Sequence, residues 1–433
     1  MVYDISNIQN ISLLDSFTQS GRSNSSRMIG DVLYTVSIYS SYGEDYIPRC
    51  GDTGAPEKIS VGCIYAVNEP ESEEFLIVSA YDTLDYSAQT QSKAIFGGSS
   101  DVYCNQENMY IYSTAYEYEG SIKEYGISTV GAETDILKVN LNGGIDFVAY
   151  AKVDGFVNNQ YALDEYNGNL RVATTSVKNG EKVNNVYVLD GNLNEVGSVT
   201  GFANNESIRA VRYLGDTASV ITYQETDPLF VLDLSRPEAP AILGEVKISG
   251  FSTMLVPIDE NTLLGIGYHT EGGDESSLEV EEGCKLVLFD VSNKTDPKVL
   301  DSKSFVDYTS SVQYNPKALV YNAERNDYVM PLNYAHYEPN VYYWNDDEDV
   351  SEIVSEDESE SDGEELDEEE VEKAESYGGM LNFKVENGKI VIIDQYQSDY
   401  EEGVDRCVYV GDYIYMTRYD YNTGLEIDCV PYK

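Results

Sequence analysis

A four-strand pattern that recurs along the chain is the feature that most constrains its fold. Between Ser207 and Tyr268, four short runs rich in Val, Ile, Leu, Tyr and Thr alternate with turn residues, and then the pattern begins again. The runs are IRAVRYL, ASVITY, PLFVLDL and AILGEVK, with Gly215-Asp216 between the first two. Such runs, separated by Gly, Asp and Pro, are typical of strands in an antiparallel meander. The unit is therefore predicted to be a four-stranded antiparallel sheet.

Turns between the first and second strands of the unit allow the repeats to be counted. They fall at Gly30-Asp31, 106–108, Asn167-Gly168, Gly215-Asp216, 259–261, 325–327 and Gly411-Asp412. The shortest spacing is about 46 residues, which matches one blade of a β-propeller. Longer intervals are predicted to carry insertions near 40–62, 82–100, 115–134, 270–283 and 335–377. The prediction is an all-β propeller of four-stranded antiparallel blades, forming a single domain over residues 1–433.

Third strands outnumber these turns by one. They are read at VYDIS (2), CIYAV (63), DILKVNL (135), VYVLD (186), LFVLDL (229), LVLFDV (286), MLNFKV (380) and LEIDCV (425). The propeller is therefore predicted to have seven clear repeats plus an incomplete eighth, whose inner hairpin lies upstream or is supplied by the C-terminal repeat. Because the chain opens inside a repeat and shows no leader at Met1, we expect it to be part of a longer protein whose upstream portion carries any export signal.

The charge of the chain restricts its partners. The formal net charge is −50, with 27 Lys and Arg against 77 Asp and Glu, which makes nucleic acid a poor partner because phosphate binding needs clustered cations. No run of about 18 apolar residues occurs, so membrane insertion is not expected. The expected partners are a protein, a peptide or a glycan, and the chain is expected to be a monomer.

Part of the charge is concentrated in one insertion, at 345–376. Residues 346–375 include eighteen Asp or Glu and one Lys. Such a block repels itself and has little to bury, so it is predicted to be disordered and to lie between strands of one blade. It shows no calcium-ligand spacing. The sequence shows no evident cofactor. Calcium binding is left open, and the metal content is unknown.

Six cysteines allow two interpretations. Cys63 and Cys284 precede equivalent strands, which favours buried small side chains over disulfide partners. If disulfides form, Cys50 with Cys63 is the first candidate and Cys407 with Cys429 the second.

Three aspartates occupy equivalent positions where the third strand leads into the fourth. Asp4, Asp233 and Asp290 begin DISNIQN, DLSRPEAP and DVSNKTDP. An Asp at such a place can accept a hydrogen bond from a backbone N–H two residues on, which fixes the turn. This structural role is favoured over calcium ligation, since each loop offers few oxygens.

One set of residues points to a ligand site. Arg27 and Arg212 stand three residues before the turn glycines Gly30 and Gly215, in first strands, which line the central channel of a propeller. Arg406 lies near the corresponding Gly411. These arginines are candidates for binding a carboxylate or another anion in the channel. The alternative is that each forms an ion pair between blades, with Glu165 or a nearby Asp.

No catalytic residue can be assigned. The two histidines, His269 and His336, both lie in insertions and at positions that no repeat shares. Glycosidase-type carboxylate pairs cannot be singled out among 77 acids.

Four longer stretches of the chain match a known family. They are SGRSNSSRMIGDVLYTVS (20–37), YALDEYNGNLRVATTS (161–176), TDPLFVLDLSRPEAPAILGEVKISGFS and LVLFDVSNKTDPKVLDS (286–302). With these stretches the chain resembles the bacterial and archaeal secreted proteins with a C-terminal beta-propeller domain. The resemblance implies export or surface display, and a biochemical role that the family does not define. The predicted function is non-enzymatic binding through the loop-bearing face or the central channel, extracellular or at the cell surface. The alternative is a channel-centred hydrolase or lyase acting on an extracellular polysaccharide or peptide.

Overall fold

The fold is all-β, as predicted. The computed structural model describes residues 1–41, 46–66, 72–85, 91–97, 101–121, 126–178, 180–223, 227–270, 281–335, 376–398, 403–420 and 423–432. These residues contain strands, four short 3-10 helices and no α-helix. The 3-10 helices are Val61–Cys63, Gln160–Ala162, Ser311–Gln313 and Pro316–Ala318.

Two compact units share these strands. One comprises residues 1–264 and 289–299, and the other comprises residues 265–288 and 300–433. The first unit holds four successive sheets, here numbered 1 to 4, whose four main strands are antiparallel to their neighbours. Sheet 1 has a fifth, short edge strand, Ile64–Ala66, which is parallel to its neighbour. Their strands are Arg22–Ile29, Val32–Ser40, Glu74–Asp82 and Gln91–Phe96 (sheet 1); Asp101–Cys104, Asn108–Ser121, Gly126–Asn140 and Asp146–Asp154 (sheet 2); Leu163–Tyr166, Asn169–Lys178, Glu181–Leu189 and Glu195–Phe202 (sheet 3); and Ser207–Leu214, Thr217–Tyr223, Asp227–Asp233 and Ala241–Ile248 (sheet 4).

The remaining sheets follow the same order. Sheet 5 has strands Phe251–Pro257, Thr262–Thr270, Glu281–Asp290 and Lys298–Val306, which are divided between the units. The second unit holds sheet 6, with Val320–Asn322, Asp327–Pro331, Gly379–Glu386 and Lys389–Gln397, and sheet 7, with Arg406–Val410, Tyr413–Asp420 and Gly424–Pro431. Smaller sheets are Val2–Asp4 with Ser12–Asp15; Phe17–Gln19, Arg49–Asp52 and Glu57–Lys58; and Tyr308–Thr309, Asn333–Ala335 and Ser376–Tyr377.

Every predicted first turn lies between the first two strands of a sheet. Asn167 and Gly168 have φ of 51° and 77°, and Gly215 has φ of 52°. These left-handed values suit the tight turns of hairpins and favour Asn and Gly. The turn residues therefore predicted the positions of the hairpins correctly.

The core of the first unit lies between successive sheets. In sheet 2, Met109 and Ile111 pack with residues of sheet 1, while Tyr110 and Tyr112 pack with residues of sheet 3. Successive side chains of a strand point to opposite faces, so both faces of these inner strands are buried. This explains why the inner strands are almost continuously apolar.

Outer strands show a different pattern. In Ala241–Ile248, for example, exposed and half-buried positions are mixed and none is fully buried. These fourth strands therefore form the solvent-facing side of the sheets.

Two sequence expectations need correction. The third strand of sheet 1 is Glu74–Asp82, whereas Ile64–Ala66, within the predicted CIYAV strand, is a short edge strand parallel to Gln91–Phe96. Glu74–Asp82 is buried along most of its length on both faces, and its run FLIVSAY is longer and more apolar than CIYAV. It therefore fits the central position of the sheet better. The predicted insertion at 115–134 is instead a continuation of the hairpin, in which Ala115 pairs with Glu133.

Neither candidate disulfide is present, since all six cysteines are free, in agreement with the favoured interpretation. Cys50 is buried beside Ser79 and packs in one apolar cluster with Cys63. Cys407 and Cys429 lie on strands at opposite sides of Tyr413–Asp420. Two strand spacings are roughly 10 Å, beyond the separation of about 7 Å that a disulfide can bridge.

The acidic insertion predicted at 345–376 lies outside the described residues, apart from Ser376.

The prediction that Asp4, Asp233 and Asp290 fix their turns is confirmed. Their carboxylates accept hydrogen bonds from the N–H groups of Ser6, Ser235 and Ser292 at 2.8–2.9 Å. These bonds lower the pKa of all three carboxyl groups.

Candidate functional site

Glu165, one of the four predicted ligand residues, belongs to a buried network between sheets 2 and 3. Its carboxylate accepts hydrogen bonds from the side chains of Asn105 (2.6 Å) and Asn108 (2.9 and 3.1 Å), and lies 3.5 Å from Lys138 Nζ. Burial opposes its ionisation, but these hydrogen bonds and the Lys138 charge outweigh it and lower the pKa of Glu165. The carboxylate is thus paired with Lys138 and two amides, and with none of the predicted arginines.

Arg27 is bound to neutral acceptors. Its guanidinium donates to Ser25 Oγ and Ser26 O at 2.8 Å, and to Gln160 Oε1 at 2.9 Å. Gln160 begins the 3-10 helix Gln160–Ala162, which precedes the first strand of sheet 3. Arg27 therefore connects the first strand of sheet 1 to that helix.

Arg212 lies near the next residue of the same helix, Tyr161, with which it interacts electrostatically. Its Nε is buried and has no hydrogen-bond partner in the described part of the chain. The charge of Asp164 also acts on Arg212, but that carboxylate accepts hydrogen bonds from Nε and Nη2 of Arg171. Burial lowers the pKa of Arg212 accordingly.

Arg406 lies in the second unit. It is exposed, and its Nη1 donates to Lys317 O at 3.2 Å. The structure therefore brings Arg27 and Arg212 to neighbouring residues of one helix, and places Glu165 in a separate network.

A cleft of about 580 Å³ opens between sheets 1 and 2. It lies at the edge where first strands begin and second strands end, which we call the loop edge. Residues at the starts of first strands supply Arg22, Asn24 and Asp101, and the second strand of sheet 2 supplies Tyr112, Ser113, Thr114 and Tyr116. Arg22 and Asp101 are exposed and carry opposite charges. Although Asp101 is accessible, the protein surrounding its carboxyl group raises its pKa.

The second strand of sheet 2 extends beyond its first-strand neighbour at this cleft. Asp101 pairs with Tyr112, and this pair is the end of the ladder between the two strands. From Ser113 to Ser121 the strand pairs only with Gly126–Asp135 on its other side, among the residues described. Tyr116 and Tyr118 are 44% and 63% exposed, and their ring centroids are 6.2 Å apart. Among the described residues, the cleft is thus lined by a strand edge that has no ladder partner beyond Tyr112, and the exposed ring of Tyr116 lies on this edge.

Other candidate chemistry is sparse in the described ranges. No group of three or more His, Cys, Asp or Glu that could hold a metal ion occurs there, and calcium stays a prediction. His269 has a buried Nδ1 without a hydrogen-bond partner in those ranges, and His336 lies outside them. None of the helices described is long and apolar enough to cross a membrane.

Sequence reasoning missed several residues of these sites. Lys138 interrupts the apolar third strand DILKVNL, and a lone Lys in a buried strand of an acidic chain was the available signal. Arg22 and Asp101 stand at strand starts, where nothing in the sequence separates them from other surface charges.

Comparison with known proteins identifies the family of the chain and two uncharacterised relatives. The family described as "Beta propeller domain" matches residues 1–423. An uncharacterised protein of Methanocaldococcus jannaschii is 38% identical over 228 residues, covering 52% of this chain and 34% of that protein. An uncharacterised protein of Archaeoglobus fulgidus is 43% identical over 200 residues, covering 46% and 30%. The matched region spans about a third of the length of these relatives.

Solved structures show remote likeness. The beta-propeller domain of the Trilobed protease from Pyrococcus furiosus has a TM-score of 0.38 at 8% identity, with 95% of each chain covered. A puromycin-hydrolysing peptidase of Mycobacterium tuberculosis has a TM-score of 0.36 at 10% identity, covering 87% of this chain and 54% of the peptidase. At these scores the likeness carries no argument about function. The predicted propeller fold is confirmed by the family match, while the blade count stays a prediction.

Proposed function

Because the chain belongs to the beta propeller domain family, we propose that it is a non-enzymatic binding protein that takes an extended peptide segment of a partner protein at its loop edge. We further propose that it acts outside the cell or at the cell surface. The acidic composition and the resemblance to exported proteins support that location. The open strand edge from Ser113 to Ser121 carries the proposal for binding.

An open strand edge offers unpaired backbone N–H and C=O groups, to which an extended peptide can add as a further strand. Here that edge lines a cleft with one cation, Arg22, and one anion, Asp101. These charges can select side chains of the incoming strand, while its backbone bonds to the edge. The exposed rings of Tyr116 and Tyr118 add the amphipathic contact area that protein interfaces favour.

We favour binding over hydrolysis or lyase chemistry because of the residues that line this cleft. Hydrolysis of a glycoside uses two carboxyl groups roughly 5 to 9.5 Å apart. Asp101 is the one carboxylate among the lining residues described. The lining of this cleft therefore does not support the alternative function, a channel-centred hydrolase or lyase.

The test is selection of a random-peptide display library on the full chain, followed by affinity measurements with a selected peptide. We expect Arg22→Gln and Tyr116→Ala to weaken binding about tenfold or more. Tyr314→Ala is the matched control, because Tyr314 is 76% exposed and lies in the second unit. N-methylation of alternate peptide amides should abolish binding, since it removes the donors of a β-ladder.

Two results would count against this function. Selected peptides that bind all variants alike, or that tolerate N-methylation, would place the site elsewhere. Binding of glycans but not peptides at Tyr116 would identify the cleft as a sugar site instead.

A further inference from the structure

A second, smaller cavity lies beside Arg212 and is independent of the loop-edge cleft. Its volume is about 160 Å³. This is about five times the volume of a water molecule in the liquid, so a molecule of five to seven heavy atoms is of the right size. The cavity is lined by residues 210–212 of the first strand of sheet 4, by residues 253–257, and by Asn159 and Tyr161, which are the N-cap and the second residue of the 3-10 helix Gln160–Ala162.

The lining divides into one cation and an apolar wall. Arg212 supplies the charge, and Leu255, Val256 and Pro257 supply part of the apolar surface. Tyr161 and Thr253 add hydroxyl groups. A ligand with an anionic head and a short apolar tail matches this division in both size and polarity.

Arg212 is half-buried, and its charge is balanced differently from that of the buried Arg171. Arg171 is ion-paired with Asp164, donates to Gly215 O, and lies 4.8 Å from the Tyr213 ring centroid. Among the described residues, Arg212 makes no ion pair and its Nε has no hydrogen-bond acceptor. A guanidinium remains protonated in proteins, so partial burial without an ionic partner costs Arg212 some of its hydration energy. A bound anion would offset that cost.

We propose that this cavity binds a small carboxylate with a branched apolar tail, the carboxylate on Arg212 and the tail against Leu255, Val256 and Pro257. Arg suits this role because its planar fork can donate two parallel hydrogen bonds to a carboxylate. The same chemistry occurs in a free short-chain acid and in the C-terminal carboxylate of a peptide that ends in a small apolar residue. The experiment separates these two sources.

The probes are isovalerate, its neutral amide isovaleramide, the tripeptide Gly-Gly-Val and that peptide's C-terminal amide, titrated calorimetrically into the full chain. We expect binding of at least one carboxylate and of neither amide. Arg212→Met should weaken that binding by about tenfold or more, since it removes charge-assisted hydrogen bonds. Arg236→Gln is the charge-matched control, because Arg236 is exposed in a turn of the same sheet, and it should bind normally.

A second variant protects the test against misfolding. Val256→Phe leaves Arg212 in place and fills the cavity, so it should lose binding while its thermal midpoint stays close to wild type. Tighter binding of the tripeptide than of isovalerate identifies a peptide C-terminus as the source, and the reverse order identifies a free acid.

The proposal also predicts a stability signature. Without carboxylate, Arg212→Met should be no less stable than wild type, because it removes a half-buried cation that has no ion-pair partner among the described residues. The proposal fails if neither carboxylate binds, if the amides bind equally well, or if Arg212→Met loses stability and keeps its affinity.

Discussion

Lys138 Nζ lies 3.5 Å from Glu165 Oε1, and this ion pair joins sheet 2 to sheet 3. The two side chains are 9% and 10% exposed. Removing one member of a buried pair leaves the other charge without compensation, which costs more than losing an exposed pair. The pair therefore provides the sharpest test of packing between these sheets.

We expect Glu165→Gln to lower the free energy of unfolding by about 2 to 3 kcal/mol, measured by urea denaturation. Glu133→Gln is the control, because Glu133 is 55% exposed in its pair with Lys152 and should change stability by less than about 0.5 kcal/mol. The double variant Lys138→Met with Glu165→Gln should cost less than the sum of the single variants. Additive costs would show that the two residues are not coupled.

The same carboxylate predicts a dependence of stability on pH. The pKa of Glu165 is lowered in the folded protein, so its contribution is present above the unfolded pKa of about 4.5 and is lost as the pH falls through the folded value. The stability difference between wild type and Glu165→Gln should therefore shrink as the pH falls from about 6 to 3. A difference that is constant over this range would contradict the assignment.

The Asp233 turn predicts a smaller effect. Asp233→Ala removes the acceptor of the Ser235 N–H bond and should lower stability by about 1 kcal/mol or less, since the carboxylate is mostly solvated. Asp233→Asn should keep most of the stability, because an amide oxygen can accept the same bond. Equal losses in both variants would mean that the charge, and not the hydrogen bond, fixes the turn.

At two glycines of fourth strands, the backbone of a turn in the following sheet packs closely against the strand. A Cβ at Gly197 would lie 2.4 Å from Pro237 O, and a Cβ at Gly244 would lie 2.8 Å from Lys294 O. Gly197→Ala and Gly244→Ala should each cost about 1 to 3 kcal/mol, since backbone must move. Gly54→Ala is the control, because no atom lies within 4 Å of that Cβ. Thermal denaturation of the three variants decides the matter, and three equal midpoints would contradict the contact.

The thiols can be counted by a disulfide-exchange reagent. Cys429 is exposed and should react in the native protein, whereas Cys284 and Cys407 are buried and should react only on unfolding. Burial raises the pKa of Cys284 to about 12, which further slows the native reaction. Six reactive thiols are expected in denaturant without reductant. A count of four would show that one disulfide had formed.

The hairpins and the all-β class could be predicted from the sequence because both depend on local chemistry. Asn167-Gly168 and Gly215-Asp216 specify their turns through backbone conformations that few residues adopt. Asp233 and Asp290 fix their turns through bonds two residues away. Such contacts lie within a few residues, so the sequence alone displays both partners.

The third strand of sheet 1 shows where this local reasoning stopped. CIYAV and FLIVSAY both look like strands, and the choice between them depended on which one fills the space between neighbouring sheets. Packing between sheets joins residues far apart in the chain, so periodicity could not rank the two candidates.

In the candidate sites too, strand positions followed from the sequence and side-chain partners followed from the packing. The sequence by itself determined that Arg27 and Arg212 occupy equivalent places in first strands, because the repeat fixes their position relative to the turns. Only the tertiary structure decided that Arg27 bonds to Gln160, that Arg171 takes Asp164, and that Arg212 borders a cavity without an ion-pair partner among the described residues. Strand positions follow from short-range periodicity, whereas the partner of a buried charge depends on which distant side chains the packed sheets bring within hydrogen-bond distance.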